Sequence, residues 1–385
     1  MVPLRGVRKS RRRLTDLIVC LMGLCLVAGV FGCGDVARAA SPAAFTESPA
    51  ACSNVGYGRA NLGAGADPST PPNPNGPTLV GAGVFVTQLR GLDAVRDEYA
   101  FRGYVRATWC DPRLAYDPDG VGSSERVYIG RKAEQQLERI WSPSGFPVNR
   151  VGSLEITERV VRIAPDGTVH NDLNVSAQLR GDFDLRRFPF DRQRLDLEIE
   201  SFRWTVDELV FIEDQTTTGF ARDFSMQEWK LGGVSSRVEE AASVRNARPF
   251  SRFVFEIDVE RRAGFYLWKV MLPIFVIVAI SWSVFWMTGE RLAGRSRITA
   301  SGVLTVVAYQ FVIADGLPRI AYLTLLDKGM LVSFTLLAVT VVQSMLVAHY
   351  YEAAPETAAL IDRRSRWVFP LVYGSLLAAL GLGAG

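Results

Sequence analysis

The 385-residue chain predicts a β-sandwich, Ig-like and antiparallel with about ten strands, followed by a four-helix transmembrane domain. Three observations carry this expectation. From roughly residue 78 to 262, short alternating runs recur between turn signals. After Arg262 they give way to four apolar stretches long enough to cross a bilayer. Ahead of both lies a basic, then apolar, then small-residue segment.

That first segment, residues 1–39, reads as a signal peptide. Arg5, Arg8, Lys9 and Arg11 to Arg13 precede LIVCLMGLCLVAGVFG, and Ala37-Arg38-Ala39 fits a small-x-small cleavage site. The segment holds seven Lys or Arg and two Asp or Glu, so its removal takes the formal net charge from +3 to −2. The basic pI then belongs to export and gives no reason to expect nucleic acid as a partner. Cys20, Cys25 and Cys33 leave with it. Cys52 and Cys110 remain, in a compartment that permits oxidation. With one in a tail and the other in a strand, they are expected to stay unpaired.

Residues 40–77 are rich in Pro, Gly, Ala, Asn and Ser, end in DPSTPPNPNGPT, and read as a disordered leader. Residues 78–262 carry the strands: TLVGAGVFVTQL, EYAFRGYVRATW, SLEITERVVRIA, TVHNDLNVSAQLRG, RLDLEIESFRW and SRFVFEIDVER, with turns such as APDGT and DPDG. Residues 263–385 form the transmembrane domain, with helices expected at about 264–288, 296–315, 325–351 and 366–384. Trp268 and Trp286 suit the two interfaces of the first span, and Pro273 predicts a kink. Arg291, Arg295 and Arg297, and later Arg363, Arg364 and Arg366, put the two longer-charged connections inside and both chain ends outside.

The second span is the anomalous one. At helical spacing it presents Arg297, Ser301, Leu304, Ala308, Phe311 and Asp315 along one face. A stripe charged at both ends is costly in hydrocarbon unless it meets water or a partner. One four-helix unit is too thin to enclose water. Several copies in a ring, each turning this stripe inward, would line a pore that Leu304, Ala308 and Phe311 constrict. A helix–helix packing face is the other reading these residues allow.

Seven segments, in chain order, carry a resemblance: WCDPRL (109–114), IWSP (140–143), DLRRFPFDRQ (184–193), IESFRW (199–204), RRAGFYLWKVMLP (261–273), SWSVFW (281–286), and LTVVAY with LPRIAYLT (304–309 and 317–324). Together they resemble the pentameric ligand-gated ion channels, the Cys-loop receptor superfamily, and its bacterial members in particular. The two cysteines that name the superfamily would fall at Gly181 and Leu195. The connection between third and fourth spans is about 15 residues, YEAAPETAALIDRRSR, too short for a large intracellular domain.

The resemblance implies a homopentamer in a bacterial inner membrane, with the N-terminal domain in the periplasm or outside the cell. A small-molecule agonist would bind between subunits and permeant ions would pass through the ring. Phe146, Phe202 and Phe250 fall in the segments that form the family's aromatic box, with Glu200 placed to meet an amine. The third loop has Arg245 and Arg248 but no Tyr or Trp, which weakens the case for a quaternary-amine box and allows an anionic or mixed ligand. Coupling is expected through Phe188, Pro189 and Asp191, through Pro318, and through Arg261, which would pair with Asp191 or with Asp97/Glu98.

Arg297 at the inner mouth leans selectivity toward anions. Gly294 stands where cation-selective relatives carry glutamate, while Asp315 and Glu290 pull the other way. The family's arginine at the position of Arg295 often points away from the lumen. A non-conducting receptor on the same scaffold and a cation channel are the alternatives. No cofactor is expected, and an enzyme is not: His170 and His349 stand far apart in sequence, and neither G-x-S-x-G nor a phosphate loop is present.

Overall fold

A computed structural model describes residues 48–55, 69–221, 226–242, 248–287, 292–314 and 320–382. The expected signal peptide, Arg245, Glu290, Asp315 and Pro318 lie outside the described residues.

Two sheets face each other. One runs β3 (Arg126–Ile129), β5 (Arg150–Ile163), β6 (Thr168–Arg180), β2 (Glu98–Cys110), β1 (Thr78–Asp93) and β8 (Leu209–Glu213), with β9 (Gly219–Phe220) also on β1. The other runs β10 (Trp229–Ala242), β11 (Pro249–Arg261), β7 (Arg192–Ser201) and β4 (Gly145–Pro147). The period-2 pattern sends Val80, Ala82, Val84 and Val86 of β1 inward against Leu195, Leu197 and Ile199 of β7 and Phe253, Phe255 and Ile257 of β11. Each such side chain contributes about 1.5–3 kcal/mol by leaving water. Pairing is antiparallel as expected, except that β8 and β9 run parallel to β1. The chain reaches them after crossing from the opposite sheet, the long connection a parallel pair needs.

Two expectations fail at the leader. Cys52 and Cys110 form a disulfide. The described leader is packed, not disordered: Ser48, Ala50 and Ala51 are buried, and α1 (Cys52–Val55) sits beside β2. The Cys52 N–H donates to Thr168 Oγ1 at 2.9 Å. Gly81, on an outward position of β1, explains how: a Cβ there would lie 2.7 Å from Ser48 Oγ and 3.3 Å from Ala50 Cβ. Composition suggested disorder because the segment has no apolar period. It is held by a covalent bond and by close backbone approach, neither of which a period reports.

Among the described residues, four helices are long and apolar enough to span a membrane: α2 (Gly264–Trp286), α3 (Leu292–Ala314), α4 (Leu325–Ala353) and α5 (Pro355–Leu382). In α2 the kink expected at Pro273 takes the form of a π turn over Leu267–Met271, which accommodates the missing N–H. A capping box between Thr324 and Asp327 starts α4. Helix α5 begins at Pro355, not near 366, because Pro355 suits the first helical turn and ETAALIDRRSR is made largely of helix formers. The supposed 15-residue connection is therefore helix. A second core joins Val270, Ile274, Val278 and Phe285 of α2, Val306 of α3, Leu337 of α4 and Phe369 and Tyr373 of α5.

Candidate ligand site, junction and pore helix

Strand β4 places Phe146 opposite Glu200 of β7, and the chain turns immediately after β7 to present Phe202. The two rings lie 5.5 Å apart, with Phe202 mostly exposed. The turn is fixed from below: Ser201 Oγ donates to Pro143 O at 2.8 Å, and Trp204 Nε1 donates to Ser142 O at 2.8 Å. Trp204 continues inward to Trp141 and Trp109, with successive ring centroids 5.9 Å apart. The IWSP and IESFRW segments are thus one unit, wedged on the sandwich core.

Charge at this site differs from the expectation. Glu200 is 3% exposed and is occupied by Arg252, whose guanidinium lies 3.1 Å from Glu200 and 3.0 Å from Glu198. The Arg150 guanidinium stacks 4.8 Å from the Phe146 ring centre, in the position a ligand cation would take. Phe250 is 2% exposed, opposite Ala241 on β10, and presents no open ring face. The structure therefore brings Phe146, Glu200 and Phe202 together and buries Phe250. Arg150 and Arg252 escaped the sequence reading. The signal for Arg252 was there, since it alternates with the apolar run of Phe253, Phe255 and Ile257 and so falls on the other face of β11.

At the base of the sandwich, the loop after β6 descends onto the helices. Phe188 and Leu185 are buried in the second core, and Phe188 meets Tyr266 of α2 edge-on at 4.5 Å. Phe188–Pro189 is a cis peptide. The Phe188 carbonyl accepts from the Leu326 N–H and the Arg186 carbonyl from the Leu325 N–H, both at 3.1 Å, at the start of α4. Of the two partners expected for Arg261, it takes Asp191: Nε donates to Oδ1 at 2.8 Å and Nη2 to Oδ2 at 3.2 Å, with Asp191 1% exposed. Phe188 and Trp229 flank the guanidinium, and Gln193 donates to the same carboxylate. The pair is buried and geometrically complete, the condition under which an internal ion pair is tolerated.

Helix α3 divides cleanly into two faces. Arg295, Thr299, Gly302 and Val306 are buried against the other helices. Arg297, Ser301, Leu304, Ala308 and Phe311 are exposed, Leu304 at 71% and Phe311 at 77%. The five described members of the expected stripe therefore share a face that is exposed among the described residues.

Residues 62–263 match the model of the neurotransmitter-gated ion-channel ligand binding domain. A proton-gated ion channel from Gloeobacter violaceus is 26% identical over 313 residues, covering 80% of this chain and 84% of that protein. The gamma-aminobutyric acid receptor subunit beta-4 of Gallus gallus is 25% identical over 284 residues, covering 71% of this chain but only 56% of the subunit. The chain belongs to the family of neurotransmitter-gated ion channels, the pentameric ligand-gated channels of the Cys-loop superfamily. It is accordingly a multi-pass membrane protein whose sandwich is the extracellular receptor domain.

Proposed function

We propose that five copies of this chain form a ring in a bacterial inner membrane. A small molecule bound between neighbouring sandwiches opens a passive, anion-preferring pore lined by α3. The carrying observation is the exposed stripe from Arg297 to Phe311, on a helix whose opposite face buries Arg295, Thr299, Gly302 and Val306. Ser301 holds water, Leu304, Ala308 and Phe311 narrow the path, and five copies of Arg297 attract anions at the inner mouth.

The agonist class we favour is anionic or zwitterionic. Arg150 already covers Phe146 and Arg252 already satisfies Glu200, so an incoming amine finds its places taken, whereas a carboxylate finds a guanidinium beside an aromatic ring. Binding opens the ring because ligand contacts the open arrangement better than the closed one. The junction of Phe188, Pro189, Asp191 and Arg261 carries that difference to α4 and the pore, with Pro318 as the further coupling residue that the family resemblance implies.

The test is the reversal potential of purified channels in a salt gradient, wild type against Arg297→Gln. Wild type should reverse toward the chloride equilibrium potential and the variant should move toward zero. A wild type that reverses toward the cation potential contradicts the anion assignment, and ligand binding without any current favours a non-conducting receptor.

A further inference from the structure

The two arginines at the inner end of α3 are separated by two residues, roughly 200° around the helix. Arg297 is on the exposed face, and among the described residues no carboxylate pairs with it. Arg295 is only 2% exposed. Its Nη1 and Nη2 donate to the two oxygens of Asp362 on α5, at 2.8 and 2.7 Å. Nη1 also donates to the Met287 carbonyl just past the end of α2 at 3.2 Å, and Gln343 of α4 donates to Asp362 Oδ1 at 2.9 Å. All four helices converge on this one guanidinium–carboxylate pair. A lone charge at that depth is expensive, and the opposite charge on α5 offsets it.

We propose that Asp362, on the fourth helix and away from the stripe, sets the charge of the pore's inner mouth. It does so by neutralising Arg295 and holding it out of the lumen, so that Arg297 alone supplies the positive ring. Asp362 is a positioning residue here, acting on ions only through Arg295. The inference rests on the reading that α3 lines the pore. It adds that a residue outside the pore fixes how many positive charges the permeating ion meets.

Reversal potentials in a salt gradient test it, with three variants compared to wild type and to Arg297→Gln. Asp362→Asn removes the compensating charge, and the freed guanidinium should seek water at the inner mouth, raising the anion-to-cation permeability ratio several-fold. The neutral pair Arg295→Gln with Asp362→Asn, and the swapped pair Arg295→Asp with Asp362→Arg, should both keep the wild-type ratio. A swapped pair that moves toward cations, or a neutral pair that moves as far as Arg297→Gln, overturns the proposal. Should Asp362→Asn alone fail to assemble, the neutral and swapped pairs still decide. If Arg297→Gln moves the potential and the swapped pair moves it too, this inference fails alone. If Arg297→Gln leaves it unmoved, the pore reading has failed and takes the inference with it.

Discussion

Arg261 is the residue on which the junction turns. Replacing it with alanine strands the buried Asp191 carboxylate, a loss of about 3–5 kcal/mol for one partner of an internal pair. Arg261→Ala should lower the melting temperature of the purified protein and right-shift agonist responses. Arg261→Lys should restore little, because lysine cannot make the two-pronged contact. A variant that melts and responds like wild type would show that the pair is solvated. Sequence narrowed the partner of Arg261 to Asp191 or Asp97/Glu98 but could not choose, since the choice depends on how the FPF turn folds back under β11. It assigned Phe146 and Phe202 to one site, and their rings lie 5.5 Å apart. It missed Arg150, only four positions beyond Phe146, whose guanidinium folds back over that ring.

His170 gives a second residue-scale prediction. Its imidazole is lowered from the usual histidine pKa, by burial first and then by Arg106 and Arg162, with Asp172 and Asp214 opposing. The folded chain therefore resists a proton that the unfolded chain accepts near pH ~6.5. The stability tied to His170 is complete above that value. It is lost progressively as pH falls toward the lowered native pKa. Melting temperatures measured between pH 7.5 and 5, a range of roughly one unit above and below histidine's ordinary titration, should fall less in His170→Gln than in wild type. Parallel profiles would contradict this.

At the scale of elements, the leader is the largest departure from what the residues announced. Alternation found the long strands β1, β2, β5, β6, β7 and β11, whose inward positions are continuous apolar sets. It missed β10, whose WKLGGVSSRVEEAA is polar along most of its length, and β8, which is only five residues. The strap at 48–55 had a different signature: Gly81 on the outward side of β1 and a cysteine at the end of β2. The disulfide spans 58 positions, and removing a bridge of this kind from an extracellular domain costs about 2–5 kcal/mol. Cys52→Ser with Cys110→Ser should lower the melting temperature, as should reductant on wild type but not on the double variant. Equal melting with and without reductant would mean that packing of Ala50 and Ala51 holds the strap unaided.

On the scale of the whole molecule, the two cores meet where the loop after β6 descends and where Ala94 of the β1–β2 connection packs against both. Leu185 and Phe188 belong to the helical core although they come from the sandwich, and the Phe188 carbonyl accepts from the Leu326 N–H at the start of α4. The order of sandwich, four spans and striped second helix was legible because alternation and bilayer thickness each leave a regular mark. The start of α5 was not, since its first turns are polar and resemble a linker until Pro355 is seen as a helix beginning. The Arg295–Asp362 pair was equally hidden, because it joins residues 67 positions apart.

The central claim is that α3 turns its uncovered face to water along the axis of a ring. Single cysteines at 301, 304 and 308, compared with controls at Thr299 and Val306, test it directly. Val306 is fully buried, whereas Gly302 is a poor control because any side chain there would meet Ser281 at 2.1 Å. In agonist, a charged thiol reagent should modify the first three positions and block current, while the two controls stay inert. Uniform inertness along the helix, or reaction at 299 and 306 as fast as at 301 and 304, would contradict the account.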